Sequence, residues 1–238
     1  MLRTIAFFAW FWISLIISLV VALPYGILYL LGLGGPTRRI MVAGARIWSR
    51  SVLAVGGAKI HIEGFERIPD EPRICFVGNH QGDMDILLLL AVMKRSIGFV
   101  AKRQALYVPM LNLWVAILGG VFIDRKNPRK AMAELDRGTK HIKQGMAMAV
   151  FPEGTRSRGP TMGSFKPGSL KLAIKANAIL VPITINGTYK MWEAEKRIQP
   201  AVFSLIVHEP IKTEGMKLDE KKLLPERIKE IIASGLPH

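Results

Sequence analysis

The chain has 238 residues, half of them hydrophobic, and a formal net charge of +15. That length suits one domain with an appendage and a sizeable core. The charge argues for an anionic partner (a membrane surface, a phosphorylated substrate or nucleic acid), and the hydrophobic fraction turns the choice toward the membrane. A single cysteine, Cys75, excludes a disulfide within the chain and reads as core.

Residues 4–37 carry no charge. A membrane span needs about 20 apolar residues, and Ile5 to Leu23 nearly meets that alone. One helix over the whole stretch would be about 51 Å long against a hydrocarbon core of about 30 Å. A break near Pro24 and Gly26, or a strong tilt, is therefore expected. One span and two half-length helices dipping into one leaflet both satisfy this. Trp10, Phe11, Trp12 and Tyr25 are expected at the interface. The stretch is too long for a cleaved signal peptide and lacks a clear small-x-small site. Arg38, Arg39, Arg46 and Arg50 follow it and only Arg3 precedes it, which puts the body on the cytoplasmic face. The expected division is a membrane anchor, residues 1–37, and a folded domain, residues 38–238.

From residue 58 strand-like and helix-like runs alternate. Strands are predicted at 59–62, 73–78, 97–101, 120–123, 147–151, 179–185 and 201–208, and helices at 85–94, 104–118, 128–144, 167–176 and 217–234. Pro128 and Pro167 sit where helices should start. The order predicts an α/β fold with a mixed or largely parallel sheet flanked by helices, preceded by the membrane-inserting helix or helix pair. Ligands of such sheets collect at the carboxyl ends of strands. His80, Lys102, Arg125 and Glu153 all lie just past such ends.

The first of these loops, Asn79-His80-Gln81-Gly82-Asp83-Met84-Asp85, holds a histidine and a carboxylate five positions later between a strand and a helix. A carboxylate in reach fixes the imidazole tautomer and stabilises the imidazolium of a general base. The alternative is that Asp83 and Asp85 merely cap the helix. A second loop, Phe151-Pro152-Glu153-Gly154-Thr155-Arg156-Ser157-Arg158-Gly159, combines close backbone approach at its glycines with guanidinium forks suited to phosphate. It can equally be an ordinary turn. A third stretch, Gly119 to Arg125, is a short strand ending in an acid and an arginine, which as a surface ion pair would mean little.

His80 to Asp85 resembles the His-x4-Asp signature of glycerolipid acyltransferases. Gly119 to Arg125, Phe151 to Arg156 and Val181-Pro182-Ile183 resemble that family's second, third and fourth blocks, in the right order. Within the family the chain is most similar to bacterial 1-acyl-sn-glycerol-3-phosphate acyltransferases. It departs at Gln104, after Lys102-Arg103, where the family often has an acid. The resemblance implies transfer of an acyl group from acyl-CoA or acyl carrier protein to the sn-2 hydroxyl of lysophosphatidic acid at a membrane phospholipid surface; the alternatives are acylation of glycerol 3-phosphate at sn-1 or of another lysolipid and, in another class, a non-catalytic basic membrane-anchored binding protein. His80 is then the base and Asp85 its orienting partner. Arg125, Arg156 and Lys166 are the expected phosphate cations, and Glu153, Gly154 and Thr155 shape the pocket. Backbone N–H groups near Asn79 or Lys102 are candidate oxyanion donors. No cofactor and no metal are expected: there is no His-Glu-x-x-His and no cysteine cluster. A serine hydrolase elbow and a Walker A loop are also missing. No nucleic-acid module is evident. Asn186-Gly187-Thr188 matches a glycosylation sequon that a cytoplasmic chain would not use. His61, His141, His208 and His238 lack a comparable acidic partner and read as surface or satisfied core residues.

Overall fold

The structure, a computed structural model, describes residues 1–124, 126–166 and 168–237. Three helices come first: α1 Leu2–Ile17, α2 Leu19–Leu30 and α3 Gly34–Gly56. The alternating part follows as β1 Ala58–Glu63, β2 Ile74–Gly78, α4 Met84–Val92, β3 Ile97–Lys102, α5 Leu111–Ile117 and β4 Val121–Ile123. It continues with α6 Pro128–Lys143, β5 Ala147–Val150, α7 Lys171–Lys175, β6 Ile179–Asn186, β7 Ala201–Val207, β8 Ile211–Lys212 and α8 Leu218–Ser234.

The strands form one mixed sheet in the order β1-β7-β6-β2-β5-β3-β4, with β8 beside the start of β6. Among the described residues, only the β6–β7 and β6–β8 pairs are antiparallel. The α/β expectation is met. β2, β5 and β6 read as near-continuous apolar runs because helices cover both faces of the centre of a parallel sheet. Ile74 and Phe76 of β2 face a core shared with Val52, Leu53 and Leu88 of α3 and α4. Cys75 and Val77 face the other core, with Leu172, Leu224 and Ile228 of α7 and α8. Burial pushes the Cys75 thiol up to about 12, so it is held as a neutral core group.

Several expectations need correction. The amino-terminal helix does not break at Pro24, which lies inside α2. The interruption is at Ser18, whose backbone N–H still reaches Ser14 O, and the chain reverses only after Leu30. Proline removes one N–H, and apolar neighbours on α3 hold the helix together across that gap. α3, unpredicted, packs antiparallel along α1 and α2: Trp10 Nε1 donates to Ser51 Oγ (3.0 Å) and Trp48 Nε1 to Ser14 Oγ (2.9 Å). Tyr25 is buried in that hairpin rather than at its surface. The run 104–118 is not one helix, because Pro109 splits it into a 3-10 turn, Arg103–Tyr107, and α5. The run 167–176 shortens to α7, and Pro167 lies outside the described residues.

The segment Leu2–Leu28 is long and apolar enough to cross a membrane. One face of it packs into the protein through Phe7, Leu15 and Ala22, while Leu2, Ile5, Ile13, Ile16, Val20 and Leu23 point outward.

Candidate active site

β2, β5 and β6 are adjacent and parallel, so the loops that leave them emerge on one edge of the sheet. His80 follows β2, Glu153 follows β5, and Gly187 and Thr188 follow β6. His80 Nδ1 lies 2.7 Å from Asp85 Oδ2. As a carboxylate Asp85 only accepts, so Nδ1 carries the proton and Nε2 keeps its lone pair. The imidazole stacks on Phe151, with ring centroids 4.2 Å apart and planes at 15°. Its side chain is 17% exposed, whereas that of Asp85 is 0%.

Asp85 stands in the first turn of α4. Oδ2 also accepts from Gly82 N (3.0 Å), and Oδ1 accepts from Thr188 Oγ1 (2.5 Å). A fully buried carboxylate needs such donors to offset its desolvation. Neither aspartate makes the simple side-chain cap: Asp83 is the N-cap residue without a side-chain cap bond, and its carboxylate pairs with Arg156.

Three carboxylates hold the loop's backbone. Glu153 Oε1 accepts from His80 N (2.7 Å), Asp85 from Gly82 N, and Glu193 Oε1 from Asp83 N (2.7 Å). Glu153 Oε2 accepts from Gly163 N (2.7 Å). Burial raises the pKa of both glutamates, against the lowering pull of those backbone N–H groups. The loop's carbonyls are latched as well, with Ser157 N donating to His80 O (2.8 Å) and Arg158 N to Gln81 O (3.1 Å). Loop and third block are therefore one unit.

The other expected residues are placed as follows. Asn79 is buried, and its side-chain amide exchanges two 2.8 Å hydrogen bonds with the backbone of Ile185, extending the ladder to β6. Arg156 pairs with Asp83 and lies 3.8 Å from Glu193, so its charge is largely compensated inside the site. Lys166 is exposed and folds along Gly154, whose added Cβ would meet Nζ at 3.2 Å. Gly154 has φ +67°, the left-handed conformation that this approach requires. Thr155 is exposed beside it, and Lys102 is exposed at the end of β3. Arg125 lies outside the described residues. Asp124, next to it, pairs with Arg103 at 2.7 Å, and that guanidinium holds its carboxyl below the usual range. Of the remaining histidines, His61 is exposed, His141 bonds Gly119 O and His208 bonds Thr184. His238 lies outside the described residues.

Residue reasoning missed Thr188, Gln81, Glu193 and the stacking of Phe151. The sequon-like triplet after β6 is part of the site. Gly187 N donates to Gln81 Oε1 (2.8 Å), Asn186 Oδ1 accepts from Gln81 Nε2 (3.4 Å), and Thr188 reaches Asp85. Its position just past a strand end was the available signal. No group of three or more potential metal ligands occurs among the described residues.

Residues 59–186, more than half the chain, match a family model described as Acyltransferase. The chain belongs to the acyltransferase family. Among its acyltransferase relatives is a chloroplastic 1-acyl-sn-glycerol-3-phosphate acyltransferase of Arabidopsis thaliana, 35% identical over 74% of this chain and 49% of its own length. Another is the 1-acyl-sn-glycerol-3-phosphate acyltransferase of Borreliella burgdorferi, 33% identical over 57% of this chain and 54% of its own. This chain thus spans about half the length of these two curated relatives. The fold matches the crystal structure of the 1-acyl-sn-glycerophosphate (LPA) acyltransferase PlsC from Thermotoga maritima with a TM-score of 0.80. That match is 26% identical and covers 98% of this chain and 95% of the other.

Proposed function

We propose that this acyltransferase transfers an acyl group from a thioester, acyl-CoA or acyl carrier protein, to the sn-2 hydroxyl of 1-acyl-sn-glycerol 3-phosphate, giving phosphatidic acid. The observation that carries the reading is the His80–Asp85 pair at 2.7 Å, with a stacked imidazole whose other nitrogen is left for substrate. The relatives of Arabidopsis thaliana and Borreliella burgdorferi are named for this acceptor.

Neutral His80 takes the acceptor's hydroxyl proton on Nε2 as the oxygen attacks the thioester carbonyl. The C–S bond then breaks, and the imidazolium returns the proton to the leaving thiolate. Asp85 stabilises the imidazolium between the two steps and keeps the ring from turning. Thr188 and Gly82 hold Asp85 in turn. The exposed ammonium of Lys166 beside Gly154 is assigned to the acceptor phosphate, together with Arg125 on sequence grounds. Arg156 is assigned to bracing the His80 loop rather than to phosphate.

The acceptor's own chain stays in lipid, and the outward face of α1 and α2 is proposed to enter the cytoplasmic leaflet and bring the site to it. Radiolabelled acyl transfer to lysophosphatidate, with glycerol 3-phosphate as the control acceptor, tests the assignment. Label in phosphatidic acid, with little in the control, is the expected outcome. Faster acylation of glycerol 3-phosphate would overturn it in favour of sn-1 chemistry.

A further inference from the structure

The sheet carries a charged groove at the edge opposite the His80 loop. The segments that enter β2, β3 and β5 gather there beneath the first half of α3. The two edges are separated by the length of the parallel strands, about 17 Å for the five residues of β2. Five cations line the groove: Arg38, Arg39 and Arg46 from α3, and Lys94 and Arg95 from the chain before β3. Asp70 and Glu71 also line it. They do not neutralise it, because Arg95 alone reaches Asp70, at 4.0 Å, and otherwise donates to the carbonyls of Pro69 and Glu71. No ion pair among the described residues involves Arg38, Arg39, Arg46 or Lys94. Arg38 Nε is buried and meets no acceptor. A buried guanidinium N–H without an acceptor is costly and is rarely left so.

The groove has a volume of about 660 Å³. That is far more than the roughly 30 Å³ share of one water, so a group of headgroup size fits. Its surroundings point to the source. Leu31, Leu33 and Ile40, at the turn of the α2–α3 hairpin and just beyond it, are exposed apolar side chains next to Arg38 and Arg39 in the chain. Where an apolar tip enters a bilayer, cations a turn away meet phosphates at the surface.

We propose that this groove binds the phosphate headgroup of an anionic phospholipid beside the inserted hairpin, at a site separate from that of the acceptor. The proposal rests on the membrane reading above. It differs from general attraction of a basic protein to an acidic surface in naming the side chains that matter.

The test is flotation of the full chain with vesicles of phosphatidylcholine, alone or doped with phosphatidylglycerol. The double variant Arg38→Gln/Arg46→Gln is compared with Lys140→Gln/Arg227→Gln, which removes the same charge from exposed positions of α6 and α8. At about 1 kcal/mol per cation near the surface, the groove variant should bind doped vesicles roughly 30-fold more weakly, while the control variant stays within about 3-fold of the parent. An unchanged melting temperature shows that the groove variant is folded, and equal binding to pure phosphatidylcholine shows that its apolar anchor still works. Equal losses in the two variants, or no loss in the groove variant, overturn the site while leaving the membrane reading standing. Failure of the parent to float with either vesicle overturns both. Calorimetry with inorganic phosphate separates the sources. No saturable heat supports the lipid, and saturable heat lost in Arg38→Gln/Arg46→Gln overturns the lipid assignment in favour of a soluble anion.

Discussion

At the scale of single residues, the site separates groups that act from groups that hold. His80→Ala should lower turnover by at least about 100-fold, the usual size of lost general-base catalysis, and Asp85→Asn should be comparably severe. Near-parental turnover in a folded His80→Ala variant would falsify the dyad. Thr188→Val keeps the volume and removes the hydroxyl that donates to Asp85 Oδ1 and, at 3.5 Å, to Gln81 Oε1. It should reduce kcat by about 10-fold with little change in KM, since a hydrogen bond to a charged group contributes roughly 1.5–3 kcal/mol and the acceptor is not touched. Lys166→Ala and Arg156→Ala form a contrasting pair. Loss of Lys166 should raise the KM for the phosphorylated acceptor, by about 10-fold or more, at similar kcat. Loss of Arg156 leaves Asp83 of the loop and Glu193 beside it without their guanidinium and should act on kcat. Steady-state kinetics with lysophosphatidate as the varied substrate distinguishes the two patterns, and the reverse pattern would exchange their roles.

At the scale of elements, the loop after β2 is stabilised by buried carboxylates whose pKa values are raised, and this has a sign. Glu193 binds its proton more tightly in the folded than in the unfolded protein, because burial penalises its charged form. Folding stability then falls as pH rises from the ordinary glutamate value of 4.5 through the higher native value. Glu193→Gln keeps an acceptor for Asp83 N and removes the titration. Denaturant melts across that window should show a shallower fall for the variant, and parallel curves would remove Glu193 from the pH dependence. What the sequence reveals of these elements follows from the range of the interactions. The central strands are legible because both their faces are buried. His80 and Asp85 are legible because they lie five positions apart across one strand-to-helix junction. Thr188 and Glu193 meet that loop from more than a hundred positions away, and nothing local marks such a pairing. α3 escapes notice because its arginines and small residues hide the face that packs on α1 and α2. β8, two residues long, is below the reach of any periodicity.

At the scale of the molecule, the apolar helix is both an outer surface and a core element. Phe7 is buried in the core and, with Met191, packs over Gly56, so removing residues 1–36 would strip a core layer along with the outward face. Substitution on the outward face separates the two roles. Ile13→Glu/Ile16→Glu places charges at two exposed positions of α1. The variant should keep its melting temperature, leave vesicles in flotation, and lose more activity on a long-chain acceptor than on a short, water-soluble one. Retained flotation in high salt, which screens the basic surface, would place the anchor elsewhere.

The way α1 is seated also bears on how the protein can be handled. Thr4 accepts the backbone N–H of Ile198, Phe7 shares the core over Gly56 with Met191, and Phe8 meets the ring of Trp192 edge-on. All three contacts fall on the segment 188–198, which begins with the threonine that holds Asp85. A surfactant that only covers the outward stripe should leave this seat intact. One that wraps α1 completely competes for Phe7 and Phe8 and loosens Thr188 behind them. Solubilised preparations should therefore lose turnover in proportion to how far the detergent separates α1 from the body, at unchanged secondary structure and with recovery on return to lipid.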